Sequence, residues 1–376
     1  MTDQQEPNEA ERNYSLTAAD AGREIAAPEL PYRPRDPKRY RPRIGLVACG
    51  GITEDHLTAY RKGGYDVAAL CDVVRKRAEA RRREFYPRAK VYDDYREVLR
   101  RDDIEVVDLA AHPQEREPMI EAALLAGKHV LSQKPFVVDL DFGERMVELA
   151  DRRGVKLAVN QNGRWAPHFS YAREAIRAGL IGEVAAAHLS VHWDHTWVKG
   201  TPFEEIRHLI LYDFGIHWFD VVRCFLGGRE PRRVYASMAP SPGQQIAPPL
   251  LAQALIEFDG AQASLAFDAA TPWGARDRTY VAGTRGTIHS TGPDLKRQTL
   301  TLYTSEGYAV PELTGCWFPD GFHGTMGELL SAIEEDREPT NSARDNLESL
   351  ALCFAATASA ERHEPVVPGT VRRMVE

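Results

Sequence analysis

The feature that most constrains this chain is an alternation between residues 43 and 161. Short apolar runs ("RIGLVAC", "YDVAALCD", "DIEVVDLAA", "HVLSQKP", "VKLAVNQN") are separated by helical stretches such as "GGITEDHLTAYRKGG", "VRKRAEARRREFY", "REPMIEAALLAGKH" and "LDFGERMVELADRRG". Strands that read as unbroken apolar runs are buried on both faces, and strands joined through helices run parallel. The pattern predicts a doubly wound α/β domain over 43–161, with its ligand cleft beyond the carboxyl ends of the strands.

The second half reads differently. The helical stretch "HFSYAREAIRAGLIG" leads into a strand, "EVAAAHLSVHWDH". A second helix, "YDFGIHWFDVVRCFLGG", is followed by strand-like runs divided by turns such as "FDGAQ" and "GTRGT". This predicts an α+β domain over 162–376 with a large, mainly antiparallel open sheet, helices on one side and two closing helices. Residues 1–42 stand apart. A polar, acidic start gives way to "ELPYRPRDPKRYRPR", an extended segment that cannot build a core. It is expected to be a tail, or an arm crossing onto a partner subunit.

Composition narrows the function classes. Hydrophobic residues make up 43% and charged residues 27%, as in a globular protein. No apolar run nears the roughly 18 residues of a membrane span. A net charge of −8 argues against nucleic acid as a partner. Five scattered cysteines, with no Cys-x-x-Cys, form neither a disulfide framework nor a zinc finger. With no apolar signal core at the start, the expected location is the cytoplasm.

Between the first strand and the first helix lies Ala48-Cys49-Gly50-Gly51-Ile52-Thr53. Here a dinucleotide fingerprint brings backbone close to a pyrophosphate, on a helix N-terminus with partial positive charge. Alanine stands at the first glycine position and threonine at the third. Asp72 ends the second strand about 20 residues on, where an acid bonds ribose hydroxyls or caps the next helix. A carboxylate there favours NAD over NADP, because it repels a 2′-phosphate; Arg75, Lys76 and Arg77 soften that preference.

Three stretches carry candidate chemistry. Lys134-Pro135 ends a strand of the first domain, and a buried ammonium is costly unless something uses it. In "LYDFGIHWFDVV", Asp213 and His217 are four apart and share one face of a helix, as a proton acceptor and the charge that orients it, or as a cap and a core histidine. In "VNQNGRWAPH", Asn160, Arg164 and Trp165 offer donors and an aromatic face suited to a sugar or polyol, or form an ordinary interdomain loop. The run "HLSVHWDHTW" places His188, His192 and Asp194 on one strand face and His195 on the other. Substrate-contacting groups are favoured over a metal site there, with Trp193, His195 and Trp197 lining a sugar pocket.

Taken in order, these motifs resemble the Gfo/Idh/MocA family of NAD(P)-dependent sugar and polyol oxidoreductases, from Arg43 to the C-terminus. The family strand end "aGkHVlxEKP" is similar to "AGKHVLSQKP". Its Asp-x-Gly-x-His followed by an acid is similar to "DFGIHWFD", with Asp213, Gly215, His217 and Asp220, and its Asn-x-Arg-(Phe/Trp)-x-Pro segment is similar to "NGRWAP". The resemblance implies a Rossmann domain followed by an open-sheet α/β domain, and hydride transfer between a carbinol carbon and a nicotinamide. His217 would be the general base, Lys134 would bond the reacting oxygen, and Asp213 would bond the substrate or the lysine. Lys134 should also depress the His217 pKa and keep that ring neutral.

The resemblance further implies NAD, with NADP as the alternative, held by Cys49, Gly50, Gly51, Ile52, Asp72, Arg77, Ala111, His112, Gln133, Lys134 and Asn162. Substrate contacts would come from Lys134, Arg164, Trp165, Trp193, His195, Asp213 and His217, with no metal. The exposed sheet face would pair subunits into a homodimer or homotetramer. Two rival readings are a glycosidase or lyase acting through transient oxidation, and a non-catalytic nucleotide-binding regulator, against which an intact Lys134, Asp213 and His217 argue.

This sequence also departs from the family pattern. Gln133 replaces the usual glutamate, His112-Pro113 replaces Thr-Pro, Arg116 stands where a histidine is usual, and "HLILY" replaces a glycine-rich lead. A neutral amide at 133 leaves Lys134 without an adjacent carboxylate, so Asp213 is the candidate to balance its charge.

Overall fold

In the computed structural model, which describes residues 22–294 and 296–374, the first domain is built on six parallel strands. These are β1 (Arg43–Val47), β2 (Asp66–Cys71), β3 (Lys90–Tyr92), β4 (Val106–Leu109), β5 (His129–Ser132) and β6 (Leu157–Val159), in the order β3-β2-β1-β4-β5-β6. The order reverses between β1 and β4, which opens a crevice at their carboxyl ends. β4 is buried along its whole length and β1 beyond Arg43, hence the unbroken apolar runs. The sequence reading did not anticipate β3 or the short helix α3 (Tyr95–Leu99). β3 is a half-exposed edge strand of three residues, too short to show a period.

The helices α1 (Thr53–Lys62), α2 (Arg75–Glu84), α4 (Pro113–Leu125) and α5 (Leu140–Arg153) link these strands. α5 shows why such segments are helical. The Asp139 carboxylate accepts from the backbone N–H groups of Asp141 and Phe142 at its start, and Gly154 ends it in the left-handed region at φ 65°. Leu140, Gly143, Met146, Val147 and Ala150 fall at three- and four-residue spacing and form its buried face.

The second domain carries eight strands: β7 (Val184–His192), β8 (Pro231–Ala239), β9 (Leu251–Phe258), β10 (Ala261–Asp268), β11 (Arg276–Gly283), β12 (Gly286–Asp294), β13 (Arg297–Thr304) and β14 (Gly307–Ala309). They pair as β14-β13-β12-β11-β7-β10-β9-β8, antiparallel except between β7 and β10. One face is covered and the other is open, so side chains alternate. On β9, Ala252, Ala254, Ile256 and Phe258 are buried while Gln253, Leu255 and Glu257 are exposed. The open face is therefore mixed, with Tyr235, Leu255 and Tyr280 set among charged and polar neighbours.

Helices α6 (Pro167–Arg177), α7 (Ile216–Leu226), α8 (Trp317–Glu334) and α9 (Ala343–Arg362) complete the chain. α8 returns to the first domain: Phe322, Met326, Leu329 and Leu330 join Ile44, Leu46 and Leu57 in one apolar cluster. Residues 22–42 lie extended along their own chain, across both domains. Ile25 donates to the Tyr308 carbonyl, Asp36 accepts from the Tyr65 hydroxyl and pairs with His323, and the Glu334 carboxylate accepts from the N–H groups of Lys38, Arg39 and Tyr40. Residues 22–42 are therefore held on their own chain rather than loose, with polar side chains satisfying the extended backbone. The rest of the expected tail or arm, residues 1–21, lies outside the described residues. No helix among the described residues is long and apolar enough to cross a membrane.

Candidate active site

The turn after β1 is shaped for close approach. Ala48 adopts φ 67°, a conformation that a glycine would take without strain, and donates its N–H to the Cys71 carbonyl. A Cβ added at Gly50 or Gly51 would meet nothing within 4 Å, so the turn opens onto free space. α1 begins there with no side-chain cap at Ile52; the N–H groups of Thr53, Glu54 and Asp55 close onto the carbonyls of Gly50, Gly51 and Ile52 at 3.1–3.3 Å, and the helix end directs its partial positive charge at the turn. Asp72 is nearly buried: one oxygen accepts from Cys49 N–H and the other from Val74 N–H, both at 2.8 Å. It thus ties the turn to the end of β2, and each oxygen keeps a second lone pair for a hydroxyl. Arg77 lies 4.0 Å from it on the exposed rim.

Lys134 follows β5 at the same edge of the sheet. Its ammonium donates to the Asp213 carbonyl at 3.0 Å and to Asp213 Oδ2 at 3.1 Å. The two side chains are 18% and 9% exposed, so the pair keeps a small solvent-facing edge just beyond the carboxyl end of β5. Arg116 supports the same turn from below. It is fully buried on α4 and donates to the carbonyls of Ala111, Pro135 and Phe136. Burial lowers its pKa to about 10, and it stays charged at neutral pH. Ala111 and His112 form the lead into α4, where His112 is the N-cap and its ring packs edge-on against Phe203.

Asp213 does not continue α7. Ile210–Phe214 form a widened π turn, and α7 begins only after Gly215. A Cβ at Gly215 would meet the Leu211 and Ile210 carbonyls at 2.5 and 2.8 Å, so this close approach requires glycine. The single helical face expected for Asp213 and His217 is corrected accordingly; both instead border Lys134. His217 is buried, its Nδ1 has no partner, and its ring packs against Trp317. Burial first, and then the Lys134 charge, hold its pKa well below the ordinary histidine range. Asn162 lies in the turn Asn162–Trp165, accepts from Trp317 Nε1 at 2.8 Å, and is followed by Gly163, whose Cβ would lie 3.5 Å from His217 Nδ1.

Aromatic rings wall the cleft. His195 packs edge-on on Phe214 and stacks with Trp193, while Trp197 meets Phe203 and Phe214. Burial pushes the His195 pKa down to about 4, so the ring is neutral. Trp193 Nε1 and His195 Nδ1 are buried without partners. His188 and His192 lie across the sheet on Ser264 and Asp268, and Asp194 turns back onto Thr196. Among the described residues no group of three or more His, Cys, Asp or Glu could hold a metal ion.

Two expected substrate residues are corrected. Arg164 is buried, bonds Asp220 through two nitrogens, and also bonds Asp345 and the Thr340 carbonyl. Its donors are used inside the protein. Trp165 packs against Gly324 of α8, where a Cβ would collide with its ring, and Arg173 lies over its face. Both are packed inside the second domain.

Comparison with known proteins agrees with this architecture. Residues 42–161 match the model described as "Oxidoreductase family, NAD-binding Rossmann fold", and residues 169–289 match the GFO/IDH/MocA C-terminal domain. The chain belongs to the Gfo/Idh/MocA oxidoreductase family. It is 28% identical over 352 residues to a D-apiose dehydrogenase of Paraburkholderia graminis, covering 85% of this chain and 88% of that one. It is 27% identical over 334 residues to an inositol 2-dehydrogenase of Rhizobium meliloti, covering 86% and 98%. An Agrobacterium radiobacter oxidoreductase, solved in complex with NAD+, L-tartaric acid and magnesium, shares the fold at a TM-score of 0.79 and 23% identity, covering 88% and 99%. In this Gfo/Idh/MocA chain, sequence reasoning missed Phe203, Phe214 and Trp317 as cleft residues. Phe214 lies inside the Asp-x-Gly-x-His motif and could have been found; Phe203 and Trp317 come from segments with no local signal.

Proposed function

We propose that the protein transfers a hydride between the carbinol carbon of a sugar, sugar derivative or polyol and a nicotinamide dinucleotide. The observation that carries this is the Lys134–Asp213 pair beside a neutral, buried His217, at the strand ends of a dinucleotide fold and within an aromatic wall. The open turn at Gly50 and Gly51 fits a pyrophosphate, and Asp72 fits the ribose hydroxyls. The bound dinucleotide supplies the hydride acceptor or donor. Cys49, Ile52, Arg77, Ala111, His112, Gln133 and Asn162 complete its expected border. NAD is favoured by the Asp72 carboxylate, with Arg77 moderating the choice.

In the oxidation direction, His217 takes the hydroxyl proton. Burial keeps it unprotonated and ready to accept. The Lys134 ammonium donates to the reacting oxygen and stabilises negative charge developing on it. Asp213 orients that ammonium, and Trp193, His195 and Phe214 pack against the apolar ring face of a carbohydrate. The names of the dehydrogenase relatives support the substrate class. The open sheet face, with Tyr235, Leu255 and Tyr280, would join subunits into a homodimer or homotetramer.

The test is a panel of sugars and polyols incubated with NAD and with NADP, read by the absorbance of the reduced nicotinamide. Reduction with at least one polyol or sugar, faster with NAD, is expected. Substrate consumption without net reduction would replace this reading by transient oxidation, and no consumption with either dinucleotide would overturn it.

A further inference from the structure

Beneath Lys134 runs a buried chain of polar groups, of which the proposed reaction uses only Gln133, at the dinucleotide's border. His56 of α1 is fully buried, and its Nδ1 lies 2.7 Å from Asp108 Oδ2, itself fully buried on β4. Asp108 Oδ2 also accepts from the Tyr60 hydroxyl at 2.6 Å. On the other side of the ring, His56 Nε2 lies 3.0 Å from Gln133 Nε2 and 3.3 Å from Asn160 Nδ2. Gln133 Oε1 accepts from the backbone N–H of Lys134 at 2.8 Å.

The direction of every bond follows from one unambiguous donor. The Lys134 backbone N–H can only donate, so the Gln133 oxygen must face it and the Gln133 amide nitrogen must face His56. That nitrogen can only donate, so His56 Nε2 must accept. The ring proton of His56 is therefore on Nδ1, pointing at Asp108. A glutamate at 133 could also bond Lys134 N–H, but it has no proton to give His56. Gln133 thus requires the opposite polarity from the carboxylate usual at this position.

Resting on the hydride-transfer reading, we infer that Asp108, His56 and Gln133 form a one-directional hydrogen-bond relay that positions the Lys134 peptide. They are positioning residues and do not touch the substrate. The relay ends on the backbone of the residue whose ammonium holds the reacting oxygen, while Arg116 fixes the following carbonyls of Pro135 and Phe136. A lysine displaced by a fraction of an ångström loses its aim.

Isosteric variants test the polarity. Gln133→Glu replaces the donor facing His56 Nε2 by an acceptor, so that ring nitrogen must gain a proton, whereas Asp108→Asn leaves an amide that can meet His56 Nδ1 as acceptor or as donor. The double variant reverses the relay: the amide introduced at position 108 donates to His56 Nδ1, and His56 Nε2–H donates to the carboxylate introduced at position 133. Long-range proton–nitrogen NMR of histidine-labelled protein, with His56 assigned by His56→Gln, reads the tautomer without any substrate. The wild type should show the Nδ1–H form, Gln133→Glu protonation of both ring nitrogens, and the double variant the Nε2–H form. Gln133→Glu should lower kcat about 100-fold, and the double change should recover most of that loss. A wild-type ring carrying its proton on Nε2, or a double variant no more active than the worse single variant, would overturn the relay. Failure of every substrate in the activity panel would remove the hydride-transfer reading and leave the tautomer result standing.

Discussion

Removing the Lys134 ammonium separates what the Lys134–Asp213 pair does for stability from what it does for turnover. In Lys134→Met, the Asp213 carbonyl and Oδ2 lose donors at 3.0 and 3.1 Å, and a carboxylate only 9% exposed is left without its cation. Leaving one half of a buried pair costs about 3–5 kcal/mol, and partial solvent access reduces this to about 2–3 kcal/mol. In Lys134→Met/Asp213→Asn both charges are gone, and stability should return to within about 1 kcal/mol of wild type. Turnover should behave oppositely. A charged donor aimed at a developing oxyanion contributes about 1000-fold, so both variants should be equally slow. Urea unfolding followed by tryptophan fluorescence gives the first quantity, and nicotinamide absorbance with saturating substrate gives the second. Recovery of turnover in the double variant, or near-wild-type turnover in Lys134→Met, would refute the role assigned to the ammonium.

Other perturbations give equally specific outcomes. Asp277 on β11 is fully buried, neither carboxylate oxygen has a partner, and burial raises its pKa to about 7. Between about pH 4 and pH 7 the folded protein keeps a proton that the unfolded chain has lost, so stability falls by about 4 kcal/mol as pH rises through that window. Asp277→Asn should therefore stabilise the protein by about that much more at pH 8.5 than at pH 4, and an equal effect in urea titrations at both pH values would contradict the assignment. Arg164→Lys cannot reproduce the two-nitrogen contact with Asp220 and should lower stability by about 3 kcal/mol while leaving substrate KM unchanged; a raised KM at unchanged stability would return Arg164 to the substrate site.

What could be read before any coordinates follows from how local each signal is. The alternation over 43–161 was legible because parallel strands buried on both faces write themselves as apolar runs, and Lys134 stood out as a charge at the end of one. The balance of its charge by Asp213 followed from the neutral Gln133 beside it. The π turn at Ile210–Phe214 was not legible, since its only trace is Gly215, and the close carbonyl approach that demands glycine is a three-dimensional fact. Arg164 and Trp165 misled for a related reason. Donors and an aromatic ring at a domain junction suit a ligand, but Asp220, Asp345 and Gly324 arrive from distant segments and claim them first. His56 carried no signal in a charged helix, because the bond to Asp108 joins residues 52 apart.

The most direct test of the central claim is label transfer. A polyol or sugar oxidised by the protein, deuterated at the carbinol carbon, should pass its deuterium to the nicotinamide ring, one per turnover, as read by mass spectrometry. Turnover that leaves the ring unlabelled, with the deuterium retained in the product or lost to water, would contradict hydride transfer in this cleft.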